Sequence, residues 1–473
     1  MEQAGPASSS TRRRFLQLSG LAVGGGVLAA CAPPTPTAPP AGGATSAPAA
    51  APTTAPPTTA PAQPTAAAAA QGAVTIALLG QAGSGEERVL RDNAAAYQQA
   101  KGVTVNLNPQ PWETLMEKIQ ADIRSSSPTY DIFWSDLEFA YTLYPNLLPL
   151  NDLIQQSNYA MDGFFPSVTR NGEGIGGQPG VRYGLPIMTD TQMCWYRSDK
   201  IKTFPSTWDE FEQMLKEYTG GGKYALGNSG VVAQGIGRFL SRYWSIPGTT
   251  LMDQDWNPKI NGDEGVHAME MYQRQATNYS PPGFQAWEYS DAVNAFLNGD
   301  VVLHEGWPEV MLPSLTDPTK NKTVGDNWSA APYPEKESAQ LVQHNLILFK
   351  SSKNPQAAFD FMAYNTNKDM AKSIITKYRV DSPRQDVWQQ VLSSDKVAST
   401  FYPGWSQAMA VARPVARPLP QWLELQTALG EAVTAVVAGQ QSARDALDQT
   451  ADRWKVSIAK GKPNFPYQEI AGV

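Results

Sequence analysis

VTIALLGQAGSGEERVLRDNAAAYQQAKGVTVNLN, residues 74–108, runs through three hydrophobic patterns in succession. Residues 74–80 are short, apolar and uncharged, as a buried strand is. Val89, Leu90, Ala94 and Tyr97 then recur at helical spacing, and Val103, Val105 and Leu107 alternate with polar residues as in a second strand. Farther on, Leu115, Ile119 and Ile123 mark one helical face, and YDIFW (130–134) is a third strand. Strand, helix, strand, helix, strand predicts an α/β fold of mainly parallel sheets with flanking helices. In such sheets solutes bind beyond the carboxyl ends of strands, which singles out Gln81 and Asp136.

Downstream, FPSTWDEFEQML (204–215) sets Ser206 or Thr207 as the cap of an amphipathic helix. SDAVNAFLNGDVVLHEGWP (290–308) reads as a helix, a turn at Asn298-Gly299, a short buried strand and then Glu305-Gly306-Trp307. QHNLILFKSSKNPQAAFDFMAY (343–364) is a strand, a turn and a helix. From residue 422 to 458, Leu425, Leu429, Val433 and Val437 fall four apart, predicting a long helical ending.

The amino terminus has a different character. Basic residues 12–14 lead into a short, glycine-containing apolar stretch that is brief for a bilayer span, the pattern of an export signal. Arg12 and Arg13 after Thr11, with Phe15 and Leu16 behind, resemble a twin-arginine signal. Leu28-Ala29-Ala30-Cys31 resembles a lipobox, which implies lipidation of Cys31 and a protein anchored outside the cytoplasm. Residues 32–71 contain only Ala, Pro, Thr, Gly, Ser and Gln, and no charge appears between Arg14 and Glu86. Such a segment has nothing with which to build a core and is expected to be a disordered tether. Cys194 is the one other cysteine, so no disulfide within the mature chain is expected.

About 400 residues remain from Ala73 onward, more than a single core usually spans. A net charge of −7 argues against a nucleic-acid partner. The 13 tryptophans stand out in a chain with only 17% charged residues. Most are expected in the core and a minority at a binding surface.

The quoted segments, in this order, resemble the family 1 extracellular solute-binding proteins of ABC importers, relatives of maltose-binding protein. SSSPTYDIFWSD, RYGLPIMTDTQMCWYRSDK (182–200), FPSTWDEF and IPGTTLMDQDWNPKINGDEGVHAMEMYQ (246–273) carry the resemblance through the first half. AFLNGDVVLHEGW, HNLILFKSSKNPQAAFDFM and RPLPQWLELQTALGEAVTAVVAGQQSARDALDQTADRW (417–454) carry it to the end. Where the family often has paired glycines this chain has Pro247-Gly248.

The resemblance implies a two-lobed, type II periplasmic-binding-protein-like fold with a hinge. The expected organisation is an export signal (1–30), the tether (31–72), lobe 1 (73–188 plus 344–378) and lobe 2 (189–343 plus 379–473). Crossovers are expected near 186–190, 340–345 and 378–384. The implied function is capture without chemistry of a sugar or oligosaccharide, by a monomer, and its delivery to membrane permease subunits. No cofactor is expected.

A sugar cleft combines aromatic faces for C–H groups with polar side chains for hydroxyls. Strand ends supply Gln81, Trp134, Asp136, Asp190, Glu305 and Trp307 as candidates. Trp244 falls where the family often has a second-lobe aromatic, and Arg379 lies near the third crossover. Trp208 and Trp454 sit on helices with evident packing partners and are read as structural. Acids beside aromatics would equally suit a polyamine, and Asp136 with Glu305 would serve a secreted glycoside hydrolase.

Three other motifs are set aside. DQDWNPKINGDE (253–264) nearly writes a calcium loop, but Pro258 stands where a glycine must turn the chain. GQAGSG (80–85) lacks the ending of a phosphate loop. His267, His304 and His344 are scattered, so no metal site is expected.

Overall fold

The computed structural model describes residues 75–467, apart from 83–84, 172, 174–177, 179, 231, 336–339, 416 and 465. They belong to one structural unit, Ala69–Val473. The export signal, the lipobox cysteine and the tether lie outside the described residues.

The chain opens with β1 (Thr75–Gln81), α1 (Gly85–Lys101), β2 (Thr104–Gln110), α2 (Trp112–Arg124) and β3 (Ile132–Asp136). Short helices α3 (Leu137–Leu143), α4 (Asn151–Gln156) and α5 (Pro166–Asn171) precede β4 (Gly184–Thr191) and β5 (Met193–Arg197). There follow α6 (Trp208–Glu217), α7 (Val232–Trp244), α8 (Asp263–Tyr279), α9 (Tyr289–Asn298), β6 (Leu303–Gly306) and α10 (Pro308–Thr316). Next come β7 (Trp328–Ala331), β8 (Gln340–Leu348), α11 (Pro355–Asn365), α12 (Lys368–Ser373) and a π turn over Ile374–Tyr378. The chain closes with α13 (Gln385–Val391), α14 (Lys396–Val411), β9 (Arg413–Pro414), α15 (Trp422–Val437) and α16 (Ala443–Ala459).

The first sheet has the order β2-β1-β3-β8-β4, with β9 also pairing β8; the second is β6-β5-β7. Parallel pairing joins β1 to β2 and β3, as the alternation of strands and helices predicts, and the short β9 to β8. Strands β8 and β4 run antiparallel, because they are returning crossovers rather than steps of the strand–helix repeat. Only Gln192 separates β4 from β5, so the chain leaves the first sheet and enters the second almost without a bend. Every residue of β4 is buried.

Hydrophobic cores form on both sides of this passage. One is built on β1, β3, α11 and the helices α7, α8, α15 and α16. A second gathers Trp195, Trp388, Phe401 and Trp405 between α13, α14 and the second sheet. Ile374 belongs to the first and Ile375 to the second. Seven tryptophans are almost fully buried, so core packing absorbs most of the aromatic excess. Trp208 donates to Ser245 at 2.8 Å and Trp454 to the Leu425 carbonyl at 2.8 Å, so packing and hydrogen bonding occupy both indoles.

The predicted helical ending is two helices. Gly439, at φ 69°, stops α15, and the Ser442 side chain caps α16. The calcium-like loop is closed on itself: Asp253 accepts from the amides of Asp255 and Asn257, at 3.0 and 2.9 Å.

Thr207 caps α6. Its hydroxyl accepts from the Glu210 amide at 3.2 Å, and the Glu210 carboxylate accepts from the Thr207 amide at 3.3 Å. Phe211 and Leu215, one turn apart, then bury the apolar face. Thr207→Ala is expected to cost about 1 kcal/mol, read as a lower urea midpoint at unchanged slope.

Candidate functional site

The site lies where the strand ends and the crossovers meet. Helix α1 begins against the third crossover, so closely that a Cβ on Gly85 would lie 2.5 Å from Val380 Cγ2. Glycine is required there, and it brings Glu86 in the first turn of α1 towards Asp381. Strand β3 delivers Trp134 and Asp136 at its end; β8 delivers His344, paired in register with Asp136. Strand β4 delivers Asp190, and α10 begins with Trp307, Pro308 and Glu309.

His344 organises these groups. Its Nδ1 donates to Glu86 Oε1 at 2.6 Å, and its Nε2 stands 3.8 Å from Asp136 Oδ2. The Trp134 ring lies 4.2 Å from the imidazole, centroid to centroid. Burial alone would lower the His344 pKa, but Glu86, Asp136 and Glu309 together more than offset it and raise the value. The three acids thus favour the protonated ring.

Each carboxyl titrates differently from a solvated one. Burial raises Asp136, partly opposed by His344. Glu309 is pushed up to about 7, by burial first and then by Glu86 and Asp136, with His344 opposing. Asp190 and Asp381 are raised well above the usual carboxylate range, first by burial, then Asp190 by Asp381 and Glu309 and Asp381 by Glu309 and Glu86. Asp190 nonetheless accepts from the Thr191 amide at 2.6 Å and from the Glu309 amide at 3.5 Å.

Several buried polar atoms around this cluster have no hydrogen-bond partner in another residue. They are Glu86 Oε2, both carboxylate oxygens of Asp381, Thr191 Oγ1, Gln192 Nε2, Gln340 Oε1 and Gln343 Oε1. Four of these residues lie on or between the crossover strands. Orphaned buried groups are rare in folded proteins, and here they concentrate along the passage between the two sheets.

Of the residues expected from sequence, Trp134, Asp136 and Asp190 come together at this cluster. Trp307 adjoins it, donating its indole N–H to Gln234 at 2.8 Å and its main-chain N–H to Tyr289 Oη at 2.7 Å. The Gln81 side chain lies outside the described residues. Trp244 is buried on α7, with the Arg413 guanidinium 6.0 Å from its ring.

Glu305 and Arg379 are placed elsewhere. Arg379, at φ 58°, pairs with Asp395 at 2.7 Å and lines a surface pocket with Leu315, Asp326 and Trp328. Glu305 forms a fully buried ion pair with Arg242 at 2.9 Å, and its other oxygen accepts from Asn228. Arg242 lies 4.5 Å from the Trp208 ring and 5.1 Å from the Tyr272 ring. Arg238 donates to the Glu305 carbonyl at 3.0 Å. Both carboxylate oxygens of Glu305 are thus engaged, one tying β6 to Arg242 of α7 and the other to Asn228 before it.

Sequence reasoning missed Glu86, Glu309, His344 and Asp381. A signal existed for His344, a titratable residue inside the otherwise apolar run HNLILF, and for Glu86, the first charge after strand β1. Nothing in the sequence alone tied Glu309 or Asp381 to them. Glu86, Glu309 and His344 offer ligand atoms all within 4.8 Å of one another.

Two predictions follow from these placements. Glu305→Ala leaves Arg242 buried without its counter-ion and is expected to cost about 3–5 kcal/mol in urea unfolding. The second concerns pH. Asp136, Asp190, Glu309 and Asp381 hold protons more tightly folded than unfolded. Between about pH 5 and about pH 7 the folded state therefore carries more protons, and stability falls as pH rises. His344, also raised, acts in the same direction, its contribution being lost as pH climbs through its folded value. Glu309→Gln should flatten this decline in urea midpoints; an unchanged decline would contradict the assignment.

The bacterial extracellular solute-binding protein family matches residues 93–400, well over half of the chain. A putative binding protein of Brucella abortus (strain 2308) is 23% identical over 286 residues, 57% of this chain and 66% of the relative. The chain thus spans just under two thirds of that relative's length. A mannitol-binding protein of Pseudomonas aeruginosa is 21% identical over 332 residues, 62% of this chain and 72% of the relative. Among solved structures, an ABC transporter solute-binding protein from Agrobacterium radiobacter K84 in complex with ribitol aligns with TM-score 0.70 and 20% identity. It covers 81% of this chain and 98% of its own. Maltose-bound MalE3 of T. maritima aligns with TM-score 0.70 and 19% identity, over 81% and 100%. A mixed sheet joined by crossover strands to an antiparallel one, a polar cluster at the crossing and the family match over residues 93–400 lead to one conclusion: the chain belongs to the bacterial extracellular solute-binding proteins.

Proposed function

We propose that this protein is the solute-binding component of an ABC import system, taking a sugar or polyol between two lobes and delivering it to a membrane permease. The observation that carries this reading is the set of orphaned polar atoms on the crossovers: Thr191, Gln192, Gln340 and Gln343, with Glu86 and Asp381. Leaving a buried donor or acceptor unmade costs roughly 1–3 kcal/mol. Hydroxyls of a bound solute would satisfy several at once, with Trp134 and Trp307 nearby as apolar faces. The relatives described with ribitol, mannitol and maltose support this class of cargo.

The lobes of this reading are residues 73–188 plus 344–378 and residues 189–343 plus 379–473. Solute bridging the crossovers would favour the closed arrangement in proportion to the contacts made only there. Lipidation of Cys31 and the tether of residues 32–71 would hold a monomeric body beside its permease. The reading includes no catalysis. The carboxylate pair that hydrolysis would need, Asp136 and Glu305, has Glu305 committed to Arg242.

Thermal melting of the purified protein against mono- and oligosaccharides and polyols tests this. A cargo at a hundredfold its Kd stabilises by about 2.7 kcal/mol and raises the Tm visibly. A shift with one such solute, recovered intact after overnight incubation, is expected. Silence across the panel would overturn carbohydrate capture, and cleavage of the solute would overturn the non-catalytic reading.

A further inference from the structure

The groups around the crossovers fall into two chemical sets. Thr191, Gln192, Gln340 and Gln343 are neutral and suit hydroxyls. Glu86, Asp136, Asp190, Glu309 and Asp381 are carboxyls drawn from five different elements. His344 is the basic group that offsets Asp136 and Glu309. The arginines on α7 are spoken for: Arg242 pairs Glu305, and Arg238 serves the carbonyls of Ser229 and Glu305. A neutral sugar needs one or two carboxylates to accept from its hydroxyls. Five acids gathered at one histidine, two of them with buried oxygens lacking a donor, exceed what hydroxyl recognition needs.

Two of these acids are also unfinished. Asp381 is fully buried with both oxygens unpartnered, and Glu86, 1% exposed, keeps Oε2 unpartnered while Oε1 holds His344. A buried carboxylate without donors is costly. What these oxygens lack is a donor, and a positively charged one offsets their mutual repulsion as well.

We propose, building on the capture reading above, that the cargo is a polyhydroxyl solute carrying an amine, an amino sugar or aminopolyol, whose ammonium is received by Glu86, Glu309 and Asp381. A primary ammonium presents three N–H donors from one nitrogen, and charge-assisted bonds to carboxylates are about twice as strong as neutral ones. The cluster is compact enough for one nitrogen to serve, since Glu86 and Glu309 present oxygens within 4.8 Å of each other. A divalent metal suits the site less well. Both ring nitrogens of His344 already face carboxylates, Nδ1 meeting Glu86 and Nε2 meeting Asp136, so a metal would have to displace one of these contacts.

The site's titration gives the proposal a signature. The titratable groups around this cluster are Glu86 from α1, Asp136 from β3, Asp190 from β4, Glu309 from α10, Asp381 from the third crossover and His344 from β8, with Glu138 of α3 beside Asp136 and raised by burial first. Tyr289 on α9 and Tyr141 on α3 stay protonated throughout, raised by burial. Between about pH 5 and about pH 7.5, Glu309 passes from protonated to ionised, and affinity for an amine should rise across that window. Affinity for a neutral sugar lacks this dependence on sign of charge.

The experiment is calorimetric titration of the purified protein with matched solutes: glucose, glucosamine and N-acetylglucosamine, and glucitol against 1-amino-1-deoxyglucitol. The expected result is binding at least tenfold tighter for one amine than for its hydroxyl and N-acetyl counterparts. That preference should grow from pH 5 to pH 7.5 and fall at least tenfold in Glu309→Gln and in Asp381→Asn, with melting curves confirming that both variants fold. If a neutral sugar or polyol binds and its amine binds no better, the amine is overturned and carbohydrate capture stands. Silence across the whole panel overturns both. Stoichiometric binding of Zn²⁺ or Mn²⁺ that His344→Ala abolishes, without amine binding, would replace the ammonium by a metal.

Discussion

The antiparallel pairing of β4 with β8 is the contact on which the rest depends. Gly184 to Thr191 run against Leu341 to Ile347, with one register shift between Pro186 and Met188. Because β4 is the edge of the first sheet, Pro186 removes no ladder bond that a further strand would need. The same two strands lead out of that sheet, β4 directly into β5. Asp190, Thr191, Gln340, Gln343 and His344 are carried on this pair, with Gln192 directly after β4. A slip of one residue would turn these side chains to the opposite face.

The crossing is also where the protein concentrates electrostatic cost. Glu305 is balanced by Arg242 within the same body, and that pair stabilises the join of β6 to α7. Glu86, Asp190, Glu309 and Asp381 have only partial compensation, through His344 and main-chain amides. The contrast separates two uses of a buried acid. One is closed by its own protein; the other is left dependent on what enters between the strands. A solute that supplied the missing donors would gain affinity from them, and the aromatic cluster of Trp195, Trp388, Phe401 and Trp405 packs beside the second sheet.

Much of this was legible in the chain itself. Strand and helix positions followed from apolar periodicity, as at residues 74–108 and at the α6 cap, because neighbours in sequence decide those features. The rule that sites lie beyond strand ends singled out Trp134, Asp136 and Asp190, which the structure gathers at one cluster. Glu305 obeyed the same rule, yet it turns to Arg242 and Asn228, which receive both its oxygens. Strand alternation tells which residues share a face, but not what stands opposite that face.

The sequence by itself determined the element order, the α/β class, the family resemblance and the aromatic surplus, since each rests on local spacing or composition. Tertiary structure alone decided that Glu86, His344, Glu309 and Asp381, up to 295 residues apart in the chain, share one buried volume. It also decided that Arg379 turns to Asp395 and away from them. The physical reason is that a carboxyl's pKa and its need for a partner come from through-space neighbours and burial, and neither is written in the residues beside it.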